Sequence, residues 1–274
     1  MKYYYLIAGL PDLQPDNIKT APTITALLEE LDAALTPHDA ELLRLLRMRY
    51  DNDNLLAFLE NKEAELNPLG TLTNTDWQEL FTLMDETEHP KDKRLQPYLI
   101  DFYRAINDEK EVAGITSKED FLTTLYYNFG SKCNNTFVAT WFEFCLNVNN
   151  ILTAIACRKH GFDLKTAIVG NNEVANTIRN SNTRDFGLAG LFDELNSVLA
   201  IADETNLLVR EKKIDALKWA WLEEHTFFSY FGVERVLAYY LCCELMHRWD
   251  NLTMEQGNEI FRNLLNDLKK DVKF

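Results

Sequence analysis

Apolar residues along this chain recur at helical spacing. From Thr23 onward, Ile24, Leu27, Leu28, Leu31 and Leu35 fall at steps of three and four, the repeat of one helix face. A second stripe, Leu42, Leu45, Leu46, Leu55, Leu56 and Leu59, predicts a long helix over 38–62, and Asn67-Pro68-Leu69-Gly70 then breaks the chain. Thr75-Asp76-Trp77-Gln78 reads as a capping box, and the polar stretch 86–94 with Pro90 inside it reads as a loop. Ser117 opens another helix, and 137–160 predicts a long buried one. Segments 185–202, 206–224, 233–249 and 253–269 complete the set, the last opened by a second capping box at Thr253-Met254-Glu255-Gln256. The one run suited to a strand is 3–7, which has no partner run. The expected fold is therefore an all-α, elongated multi-helix bundle with room for one short N-terminal strand. Strands alternating with these helices are absent, which excludes a sheet-based nucleotide fold.

Charge narrows the partners. The 274 residues carry 43 acidic and 28 basic side chains, a net of −15, which argues against nucleic acid and against an anionic membrane surface. The longest apolar runs, 137–146 and 236–246, are too short for the ~20 residues that a bilayer crossing requires. The N-terminal apolar run ends after a few residues, so no signal peptide is expected and the chain reads as cytoplasmic. Five cysteines, Cys133, Cys145, Cys157, Cys242 and Cys243, are odd in number and lack disulfide-framework spacing.

One internal correspondence stands out. Asp51-Asn52-Asp53-Asn54-Leu55 and Asn147-Val148-Asn149-Asn150-Ile151 lie 96 positions apart, with Lys62 opposite Arg158 at the same offset, and Asp250-Asn251-Leu252 echoes the pattern. Asparagine inside a helix competes for backbone groups, so its recurrence points to a shared tertiary role. Two roles fit: internal hydrogen bonds joining helices within each repeat, or a polar surface of Asp51, Asn54, Asn147, Asn150 and Arg158 that meets a partner.

Catalytic signatures are lacking. No phosphate loop, dinucleotide fingerprint, zinc motif or nucleophile elbow occurs, and no catalytic residue, metal ligand or cofactor is expected. The sharpest enzyme-like alternative is a pair of Glu-x-x-His units, Glu86 with His89 and Glu244 with His247, as in ferritin-like di-metal sites. His89 precedes Pro90 in a polar loop, where helical geometry is disfavoured. His225 reads as a charge at a helix end, and adjacent Cys242 and Cys243 are poorly placed to bridge. Trp219, Trp221, Tyr239, Tyr240 and Trp249 are spaced along helix faces. They suit core packing or an aromatic anchor for a protein partner, and a helical scaffold for some other complex is a further alternative.

The run Phe231-Gly232-Val233-Glu234-Arg235-Val236-Leu237-Ala238-Tyr239-Tyr240-Leu241-Cys242-Cys243-Glu244 is similar to the signature of the C/d subunit family of V-type and A-type ATPases. Arg248 matches the continuation of that signature, while Met246, Trp249 and Asn251 depart from it. The segments 51–55 and 147–151, the latter followed by Arg158, also resemble that family, as does the turn Leu69-Gly70-Thr71-Leu72. The resemblance is scattered over 50–265, and it extends to divergent bacterial proteins of the same kind that are associated with V-type ATPases. It implies a funnel-shaped, all-helical, non-catalytic protein with three pseudo-repeats, roughly 1–90, 91–180 and 181–274. It further implies partners in the central shaft and the membrane rotor ring, on the cytoplasmic face of the inner membrane, and a role in ion-coupled ATP hydrolysis or synthesis. The residues that the resemblance singles out are Asp51, Asn54, Asn147, Asn150, Arg158, Tyr239 and Arg248.

Overall fold

A computed structural model describes residues 3–15, 17–88, 90–108 and 117–250, the side chain of the last excepted. Among these the chain is all-α and contains no strand. The helices are α1 (Tyr4–Gly9), α2 (Ile24–Ala34), α3 (Pro37–Glu60), α4 (Asn74–Glu86), α5 (Pro97–Asn107), α6 (Lys118–Gly130), α7 (Thr136–His160), α8 (Leu164–Ala167), α9 (Glu173–Asn180), α10 (Leu195–Ala202), α11 (Leu207–Thr226) and α12 (Val233–Asp250).

Several expectations are corrected. The run at 3–7 is helical, because a lone strand would leave its backbone groups unpaired, whereas Ile7 N–H reaches Tyr3 O at 3.0 Å within the turn. Thr73, not Thr75, caps α4: its hydroxyl accepts from Asp76 N–H, and the Asp76 carboxylate accepts from Thr73 N–H at 2.8 Å. The stretch 185–194 is not helical. Phe186, Gly187 and Gly190 hold φ of 56°, 70° and 83°, which interrupts a right-handed helix until Leu195. Lys62 lies past the end of α3, exposed in a turn, so it does not match the helical Arg158. Helices α5, α8 and α9 lie outside the pattern read above. Pro97 opens α5 without losing a hydrogen bond, and Tyr98, Leu99, Phe102 and Ala105 form its buried face. The second capping box, the final helix and the third echo beyond Asp250 lie outside the described residues, as does His89.

The contacts divide the chain into two compact units, 37–214 and a second formed by 1–36 with 215–274. In unit 37–214, α7 is central and packs against α6, α8, α9 and α10. Buried residues run all round its middle, from Phe137 and Val138 through Trp141, Phe142 and Leu146 to Ile151 and Ala154. Asn135 caps its start, and Gly161 ends it at φ 76°. Gly130 of α6 lies against the Phe142 ring, where a Cβ would overlap it. The other unit is built on α12, which packs against α2. Its partner helix is the second half of α11, antiparallel to it: Asp215 pairs with Arg248, and Thr226 with Arg235.

Candidate functional site

The polar positions at the centres of α3 and α7 are buried, with Asp51, Asn54, Asn147 and Asn150 between 1% and 4% exposed. Each pair fastens the turn that follows its own helix. Asn54 Nδ2 donates to Asn67 O at 3.0 Å, while Asn67 N–H donates to Asn54 Oδ1 at 2.7 Å. Asn150 repeats this pattern: its Nδ2 donates to Val169 O at 2.8 Å, and Val169 N–H donates to its Oδ1 at 3.0 Å. In both places one amide satisfies the donor and the acceptor of a single backbone residue, as an adjacent strand would.

The residue one turn earlier holds the approach to the next helix. Asp51 Oδ1 accepts from Thr71 N–H at 2.6 Å and Leu72 N–H at 3.1 Å, and its Oδ2 accepts from the Thr71 hydroxyl at 2.7 Å. Thr73 then caps α4. Asn147 Oδ1 accepts from Asn172 Nδ2 at 2.7 Å, and Asn172 is itself the cap of α9, accepting from Ala175 N–H. Glycine makes room at both turns: a Cβ on Gly70 would overlap the Asn54 amide, and Gly170, at φ 79°, lies against Leu146. Guanidinium groups close the two turns from outside, with Arg47 donating to Leu69 O and Arg179 to Ile168 O. Burial pushes the Asp51 carboxyl above its ordinary range, against the opposing pull of its donors from Thr71 and Leu72.

Arg158 fastens a different loop. It donates to Ser181 O at 3.0 Å and to Thr183 O, and its guanidinium stacks 3.6 Å from the Phe186 ring centroid. The left-handed Phe186 is thereby fixed from one face.

The other two singled-out residues lie on α12. Tyr239 donates to Pro11 O at 3.0 Å and lines a cleft of about 330 Å³ together with Leu10, Trp219, Leu222, Arg235 and Cys242. Burial pushes the Tyr239 phenol and the Cys242 thiol well up, and it pushes Cys243 up to about 12, so both cysteines stay protonated thiols. Arg248 and the Trp249 indole both donate to the buried Asp215 at 2.9 Å.

Glu244 and His247 do not converge. Glu244 accepts from the Tyr240 hydroxyl at 2.5 Å, whereas His247 Nε2 faces Pro22 O at 2.8 Å. Among the described residues no three His, Cys, Asp or Glu side chains are grouped to hold a metal ion, and no helix is long and apolar enough to cross a membrane. The flagged aromatics divide: Trp221 and Tyr240 are buried, while Trp219, Tyr239 and Trp249 are partly exposed. The helix-centre pattern marked one side of each fastening. On the other side, Asn67 and Thr71 were noted only as parts of a chain break and a turn, and Val169 and Asn172 were not singled out, although Gly170-Asn171 punctuates their turn.

The described residues thus define an all-helical protein in which buried helix-centre amides tie down the turns that follow. The chain belongs to the family described as protein of unknown function (DUF2764), whose model matches residues 1–272. No curated protein and no solved structure matches it.

Proposed function

We propose that this chain is a non-catalytic coupling subunit of a V-type ATPase, linking the central shaft to the membrane rotor ring during ion-coupled ATP hydrolysis or synthesis. The observation that carries this reading is the twofold recurrence of one device. The segments 51–55 and 147–151 resemble the C/d subunit of rotary ATPases, and both place an Asx–x–x–Asn pair that fastens the next turn through the same reciprocal hydrogen bonds. Such recurrence suits a pseudo-repeated helical body. The signature-like run from Phe231 spans the turn before α12 and most of that helix, adding support at a separate point of the chain.

The physics of torque transfer fits. A coupler has to be stiff, and long helices cross-tied by buried amides deform little. It also needs wide contact surfaces more than a pocket, and the net charge of −15 steers docking toward basic partner surfaces. Glu244 and His247, engaged with Tyr240 and Pro22, leave the di-metal alternative without a converged pair.

Affinity capture of the tagged chain from native membranes in mild detergent, read by mass spectrometry, tests the proposal. Recovery of head, shaft and ring subunits in fixed proportion is expected. Recovery of the bait alone, with the ATPase intact in the same lysate, overturns the coupling role and leaves a helical scaffold of another assembly.

A further inference from the structure

The turn between α11 and α12 exposes rings that a folded surface ordinarily covers. Phe227 is 63% exposed, Phe228 84% and Tyr230 62%, and the neighbouring Tyr4 and Tyr5 are 48% and 91% exposed. They fall in two ring clusters, one joined through Phe231 and one formed by Phe227 and Phe228. Tyr4 packs 4.8 Å from Phe231 and 5.5 Å from Tyr5, Tyr230 lies 6.4 Å from Phe231, and Phe227 meets Phe228 edge to face at 5.0 Å. The turn that carries them is formed. Phe227 N–H donates to Glu224 O, Ser229 N–H to Thr226 O, and Tyr3 N–H ties the N-terminal segment to Phe231 O. Arg235 adds a bond to the Thr226 hydroxyl at 3.3 Å.

Three exposed rings on this turn and two on α1 forgo burial that each would otherwise gain, which is the mark of an interaction surface. None of them belongs to the helix-centre fastenings. Charge then selects the occupant. Glu223 and Glu224 are exposed on the last turn of α11, and Glu234 stands on the first turn of α12, against Arg235 and the exposed His225. Within a chain of net charge −15, this rim repels an anionic bilayer, and a second copy would set acid against acid.

We infer that this aromatic tip docks a protein partner whose contact surface has an apolar centre rimmed by lysine or arginine. The inference stands without the coupling reading, since it concerns only the chemistry that the tip accepts.

The probe is a labelled 18-residue amphipathic peptide with a leucine stripe and lysine elsewhere, titrated into the full chain by fluorescence anisotropy. Its counterpart carries glutamate for lysine. The lysine peptide is expected to bind saturably, and the Phe228→Ser/Tyr230→Ser double variant is expected to bind at least about tenfold more weakly at unchanged melting temperature. Tyr5→Ser gives a second reading that is independent of the turn. Glu223→Lys/Glu224→Lys is expected to weaken the lysine peptide and to admit the glutamate one. Equal binding by wild type and both aromatic variants overturns the proposal, because net charge alone then holds the peptide. So does absence of binding, tip-dependent capture by phosphatidylcholine–phosphatidylglycerol vesicles in its place, or a tip-dependent dimer in sedimentation.

Discussion

Inside a helix an asparagine competes for the backbone groups around it, and Asn54 and Asn150 avoid that conflict by directing both amide groups at a later segment. Alanine at either position removes two hydrogen bonds to a part-buried backbone residue and leaves a gap where a buried amide sat, an expected loss of about 2–4 kcal/mol. For a chain of this size that corresponds to roughly 5–15 °C in melting temperature, measured by circular dichroism. Asp51 adds a pH term. Burial raises its carboxyl above the ordinary 3.8, so the folded chain holds the proton more tightly than the unfolded chain. Its contribution is therefore greatest below about pH 4 and declines as pH rises through the raised folded value. Urea melts from pH 3.5 to 8 should show wild-type stability, minus that of Asp51→Asn, falling across this rise. A difference that grows with pH contradicts the assignment.

At the scale of elements, the ends of helices depended on details that periodicity does not carry. Leucine spacing located α2 and α3 to within a residue or two, because one buried face per helix is a repeating constraint. The start of α4 turned on whether Thr73 or Thr75 reached a backbone N–H, and only the folded turn distinguishes them. Thr73→Ala, which removes the hydroxyl that accepts from Asp76 N–H but keeps the backbone N–H that donates to the Asp76 carboxylate, is expected to cost about 1 kcal/mol. Close approach is equally local. The Gly130 Cα sits against the Phe142 ring, so Gly130→Ala forces α6 and α7 apart, with an expected loss of about 1–3 kcal/mol in chemical denaturation. Gly161→Ala meets no neighbour and pays only for its φ of 76°, so it should cost less.

For the whole molecule, both fastenings and helices α3 to α10 fall within unit 37–214, whereas α11 crosses its boundary. A fragment of residues 37–214 is expected to melt cooperatively by circular dichroism, and Asn54→Ala should lower its midpoint about as much as in the full chain. A non-cooperative fragment would mean that this unit depends on the remainder of the chain. The same scale holds the coupling proposal, because torque passes only through a body whose turns are held as firmly as its helices.

Amino-acid order by itself determined that the chain is helical, because the three-four spacing of leucines and the scarcity of glycine and proline are local properties. It also marked Asp51, Asn54, Asn147 and Asn150 as unusual, because a polar residue inside a helix violates a local preference. Tertiary structure decided what they do. Their partners at Asn67, Thr71, Val169 and Asn172 lie 13 to 25 positions away, and only packing brings an amide to a chosen turn. The aromatic tip was hidden for the same reason: no periodic pattern covers Phe227, Phe228 and Tyr230, and only the fold leaves them facing outward.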